Sequence, residues 1–173
     1  MLTEAGFLFL LGYLVWRNGE SWQILGFRPT RWWIELIWAF VLYCALWLSS
    51  LCVTSLAKKA GWEPGPKNSP EETAAGSYAA LLPVFLIVSA LFEEILLRGY
   101  LWNRIEQFSR RPAVALLSTS LLFAAYHPYS MLQVLEIFVF GLVLGVFYWH
   151  GRSLPRLVLA HFAYNIAIFY LIR

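Results

Sequence analysis

Glu93 and Glu94 stand side by side at the end of an apolar run that begins at Tyr78, and Arg98 follows four residues later. Ionisable side chains at membrane depth cost roughly 2.5–3.5 kcal/mol each on insertion scales, so three kept together there point to a functional site. On a helix Glu94 and Arg98 share a face, with the acid N-terminal to the base, the favourable order for an ion pair. Glu93 lies about 100° further around the helix. Glu94 is therefore read as the structural partner of Arg98, and Glu93 as the carboxylate left for chemistry. The bland alternative is a solvated helix end carrying ordinary surface charges.

The remaining polar groups at that depth are His127, four residues after Phe123, and His161, four residues before Asn165; each pair shares a helix face. A chain reversal near 109–110 puts Glu93 and His127 at nearly the same depth, at 1.5 Å per residue on either side of the turn. His161 lies closer to its own turn at 151–153, so the segment 99–108 must protrude or tilt to bring it level. If they meet, Glu93 can take a proton from water in attack on a carbonyl, and His161 and Asn165 can donate hydrogen bonds to the developing oxyanion. A lone membrane histidine is more often a packing residue, but four such groups on three apolar runs each need a partner. A carboxylate and two imidazoles could also ligate zinc; the helical His-Glu-x-x-His arrangement is absent, which favours a site with no metal and no other cofactor.

Other candidates read as structural. His150 precedes Gly151 at a helix C-terminus, where the dipole favours a cation. Glu4, Glu35 and Glu136 fall at the ends of apolar runs and are not expected to act in catalysis. Cys44 and Cys52 are eight apart on one run, about 12 Å along a helix, too far to bridge, and are assigned to packing.

These residues need elements to carry them. The 173-residue chain is 60% hydrophobic, 18% aromatic and 13% charged, a composition that fits an integral membrane protein of one domain better than a soluble one. With no aspartate, paired-aspartate chemistry is excluded. The net charge of +3 is spread between apolar runs, which does not suit nucleic-acid binding. The runs predict spans at Leu2–Trp16, Trp32–Leu56, Tyr78–Leu97 with the helix continuing to about Phe108, Ala113–Tyr126, Met131–Trp149 and Arg156–Ile172. Breakers make 57–77 the longest loop, with a helix start at Ser69-Pro70-Glu71-Glu72, and turns fall at Ser109–Pro112 and Gly151–Pro155. Gly141 and Gly145 form a small-residue face that permits close helix contact. The expected fold is an all-α polytopic membrane bundle of about six transmembrane helices, with 1–77 supplying two accessory spans and a loop and 78–173 a four-helix catalytic core. Arginines concentrate in alternate loops, which places that side in the cytoplasm and both termini outside.

Glu93-Glu94-x-x-x-Arg98, Phe123-x-x-x-His127 and His161-x-x-x-Asn165, in that order on three apolar runs, resemble the three motifs of the CPBP family. That family comprises CAAX proteases and bacteriocin-processing membrane enzymes, the Ras-converting endopeptidases among them, and the similarity runs from about Tyr78 to the C-terminus. The departure is in length, since family members commonly carry more spans. The resemblance implies a glutamic-type intramembrane endopeptidase with Glu93 as base, Glu94 and Arg98 as supporting pair, and His127, His161 and Asn165 as water-orienting and oxyanion groups. It further implies a membrane-anchored or lipidated protein substrate and a multi-pass location in a bacterial inner membrane. The alternative from another class is a non-catalytic immunity factor or small transporter whose polar cluster binds rather than cuts.

Overall fold

A computed structural model describes residues 2–28, 30–62, 80–127 and 130–171, and among these the secondary structure is helical throughout. Helix α1 is Leu2–Arg17 and α2 is Trp32–Lys59. One continuous helical rod follows: α3 (Leu82–Glu94), a π-helical segment (Ile95–Leu101) and α4 (Trp102–Ser109). Helices α5 (Pro112–Ala125), α6 (Met131–Gly151) and α7 (Leu154–Leu171) complete the order.

The boundaries follow local chemistry. Helix α2 runs three residues past its expected end because Ala57, Lys58 and Lys59 are good helix formers. Pro83 and Pro112 sit in first turns, where a missing N–H costs nothing. Ser130 and Gln133 form a capping box that starts α6. The turn expected at Gly151–Pro155 is shorter than the sequence suggests: Gly151 is still helical and α7 begins at Leu154. The left-handed residue that ends α6 is Arg152, at φ 45°, and Arg110 at φ 56° does the same after α4. The helix start expected at Ser69–Glu72 lies outside the described residues.

Helix α7 packs between α2 and α3, while the π segment touches α1, α5 and α7. The closest pairing is α5 against α6, as the two glycines predict: a Cβ on Gly141 would lie 3.2 Å from Ser120 Cα and 3.3 Å from the Phe123 ring. Glu35, placed by the sequence at the end of an apolar run and outside catalysis, has a structural part. It is buried, and accepts from Thr30 Oγ1 (2.8 Å), Ser153 Oγ (2.6 Å) and Arg156 Nε and Nη2 (2.9 and 3.0 Å), tying the start of α2 to the start of α7. Glu136 likewise ties α6 to α2 by accepting from Thr54 Oγ1 at 2.8 Å. Cys44 and Cys52 are exposed on α2, so the packing role assigned to them within the bundle is not the one they have.

The 28 residues of α2 and 21 of α6 make helices about 42 and 31 Å long, enough to cross a hydrocarbon core of about 30 Å. Only 17% of the most apolar stretch of α2, and 33% of that of α6, is buried within the protein. A soluble core helix would be mostly covered; exposed Trp32, Phe40, Leu48, Leu51 and Leu56 instead present a hydrocarbon-facing surface.

Candidate active site

The rod carries the acids inward. Glu94 and Arg98, on either side of the junction between α3 and the π segment, are fully buried, with Arg98 Nη1 3.0 Å from Glu94 Oε1. Arg98 also donates from Nη2 to the Gly141 carbonyl at 3.0 Å, and its guanidinium lies over the Phe123 ring at 5.1 Å from the centroid. This one cation therefore holds the rod to both α5 and α6.

Glu94 does more than neutralise Arg98. The same Oε1 atom lies 2.9 Å from His161 Nδ1, so α7 is latched to the rod through the second glutamate. His161 Nε2 faces the first: it is 3.6 Å from Glu93 Oε2, while Ser89 Oγ donates to Glu93 Oε1 at 3.2 Å. Glu93, expected to be left unattached, is thus buried with a hydroxyl on one oxygen and an imidazole near the other. Glu94 Oε2, Arg98 Nε and Ser120 Oγ are buried with no hydrogen-bond partner among the described residues.

Phe123 is the hub of the apolar wall. Its ring meets His127 edge-on at 5.0 Å and His161 edge-on at 5.9 Å, and stacks with Phe140 at 5.9 Å. Phe140 closes the other side of His161 at 5.0 Å. His127 Nδ1 is 2.8 Å from the Phe123 carbonyl, which can only accept, so Nδ1 carries the hydrogen. Asn165 is half-buried one turn beyond His161 on the same face of α7.

Of the residues singled out in the sequence, Glu93, Glu94, Arg98, Phe123 and His161 form one connected cluster in which His161 meets both acids and Phe123, and Arg98 meets Glu94 and Phe123; His127 joins through Phe123, and Asn165 adjoins through its helix. The depth of His161 is reconciled as required: α4 extends past the α6–α7 turn, which rests beside it through the bidentate pair Arg152–Glu106 (2.7 and 2.8 Å) and Arg152 with Asn103 (3.4 Å). Sequence reasoning missed Ser89 and Phe140, and for Gly141 it gave the close helix contact but not the carbonyl that accepts from Arg98. Ser89 carried a signal, since it lies four residues before Glu93 on the same face; Phe140 carried none among so many apolar neighbours.

As for metal chemistry, among the described residues no three His, Cys or Glu side chains are grouped to hold one ion, and both nitrogens of His161 are directed at carboxylates. The cluster can instead hold and move protons: a buried carboxylate, an imidazole fixed between two acids, and a second imidazole of set tautomer.

No curated protein and no solved structure matches the chain. One protein family does: the type II CAAX prenyl endopeptidases described as Rce1-like match residues 75–167, more than half of the 173. That stretch contains all three motifs and every side chain of the cluster. Together with the hydrocarbon-facing helices it makes this an integral membrane protein, and the chain belongs to the Rce1-like family of type II CAAX prenyl endopeptidases.

Proposed function

We propose that the protein is an intramembrane endopeptidase that hydrolyses a peptide bond near the membrane-associated C-terminus of a substrate protein, using water activated by Glu93. The observation that carries this reading is the placement of Glu93: buried, bonded by Ser89, facing His161 Nε2, and next to a glutamate whose charge is already taken by Arg98. A carboxylate so held can take a proton from water while the unprotonated nitrogen of His127 orients that water and His161 and Asn165 donate to the oxyanion. The family supports a prenylated or otherwise membrane-anchored protein as substrate. The reading includes a six-span bundle whose last four spans, in 78–173, form the catalytic core, a bacterial inner-membrane location with both termini outside, and chemistry that needs no metal.

Co-expression with proteins bearing prenylated Cys-a-a-X tails, followed by mobility shift, tests the activity. Glu93→Gln should keep the fold and abolish cleavage, because an amide preserves shape and cannot accept the proton. Normal turnover by that variant removes Glu93 as the base.

A further inference from the structure

Peptide hydrolysis needs a base for the water and an acid for the leaving amine, and the sequence assigns only the base. Building on the endopeptidase reading, we propose that His161 is the acid and that Glu94 is a positioning residue that fixes its tautomer. The argument begins at Glu94 Oε1, which serves two donors, Arg98 Nη1 at 3.0 Å and His161 Nδ1 at 2.9 Å. A carboxylate kept ionised by a guanidinium can only accept, so Nδ1 of His161 carries a hydrogen in every state of the ring. The ring is clamped edge-on between Phe123 and Phe140, which opposes a flip that would exchange its nitrogens. Nε2 is thereby committed to the side of Glu93 Oε2, 3.6 Å away. Two bare acceptors facing each other at that distance repel; a proton on one of them removes the conflict, so the pair holds a single proton between them.

With that proton on Nε2 and Glu93 ionised, the steps balance. Glu93 takes one proton from water, the hydroxide oxygen forms a bond to the carbonyl carbon, and the carbonyl π pair moves onto its oxygen. The tetrahedral species collapses as the carbon–nitrogen bond breaks and its electron pair stays on nitrogen, which takes the proton from His161 Nε2. The proton held by Glu93 then returns to Nε2 and restores the starting state. Water has supplied OH to the acyl carbon and H to the amine. In this arrangement the oxyanion falls to Asn165, His127 orients the water through its unprotonated Nε2, and His161 moves out of the role that its motif suggested.

The test uses the full chain labelled with 15N-histidine. There are three histidines, so the difference spectrum against His161→Gln assigns the ring. Wild type should show Nδ1 protonated, and Glu94→Gln should lose the dominance of that form. In the same variant kcat should fall about 10²–10⁴-fold with KM changed less than about threefold, the signature of a displaced tautomer rather than lost binding. Because Glu94→Gln leaves Arg98 uncompensated and can impair folding, the double variant Glu94→Leu/Arg98→Met provides the control. Removing both charges should restore the melting temperature but neither kcat nor the tautomer. A double variant that cleaves like wild type overturns the proposal, as does a wild-type His161 with a bare Nδ1. The spectrum needs no substrate, so a chain that shows the expected tautomer yet cleaves nothing refutes the endopeptidase reading and not the Glu94–His161 linkage.

Discussion

The clasp between α2 and α7 gives the sharpest stability prediction. Glu35→Ala removes a side chain whose exposure is 6% and leaves Arg156, at 11%, without its partner. Four hydrogen bonds go with it, from Ser153, Thr30 and twice from Arg156, all between 2.6 and 3.0 Å. Bonds to charged groups are worth about 1.5–3 kcal/mol each, but solvent entering the cavity recovers part, and orphaning one member of a buried pair costs about 3–5 kcal/mol in all. A chain of this size loses about 2–4 °C of melting temperature per kcal/mol, so helix melting followed by circular dichroism in detergent should fall by about 10 °C. The paired change Glu35→Leu/Arg156→Met should recover most of that, since no charge is then stranded. Turnover should fall as well, because the clasp fixes the start of the helix that carries His161. A Glu35→Ala melting curve within about 1 °C of the parent, or a double variant no better than the single, would refute the reasoning.

Prolonged chelation should leave purified enzyme fully active; activity lost to chelator and restored specifically by zinc would overturn the metal-free chemistry. Arg110→Gly should raise the melting temperature by a few degrees, because a left-handed residue with a side chain costs about 1–2 kcal/mol and the exposed Arg110 makes no ion pair among the described residues. Arg152→Gly should lower it despite the same relief, since it deletes the bidentate pair with Glu106 and stacking on Trp102 and Tyr148. In α4, the hydrogen bonds from Arg152 hold the Glu106 carboxyl below its ordinary 4.5. Its contribution to stability is therefore present above pH 4.5 and lost as pH falls through the lower folded value, so Glu106→Gln should flatten that part of the acid unfolding profile.

The long apolar runs were legible because their composition leaves few alternatives, and the observed helix ends lie within a few residues of those read from breakers and caps. The pairing of Glu94 with Arg98 was legible because it is local to one helix. What required the third dimension was every contact between helices distant in sequence: Glu35 with Arg156, Thr54 with Glu136, and above all Glu94 with His161, sixty-seven residues apart. Nothing in the spacing of a motif says which nitrogen of a histidine meets which carboxylate. The cysteines mislead for a related reason: in a bundle facing hydrocarbon, an apolar run is no guide to which of its sides is inside.

The π-helical stretch from Ile95 to Leu101 also bears on how this enzyme tolerates change in length. A π turn is equivalent to one extra residue inserted into an α-helix, and each residue of an α-helix advances about 100°. Upstream of it the rod is indexed so that Glu93 and Glu94 face His161; downstream it is indexed so that Trp102, Asn103 and Glu106 face Tyr148, Ile24 and Arg152. The stretch works as a coupling that takes up one residue between two shafts. Losing one residue there would let the helix close up into regular α geometry with the two shafts left in nearly the same phase, because the π turn already takes up one residue more than an α turn over the same rotation. The same loss within α3 or α4, where no extra residue is held in reserve, would rotate the acids against the anchor by about 100°, so length is tolerated in this segment and constrained on either side of it.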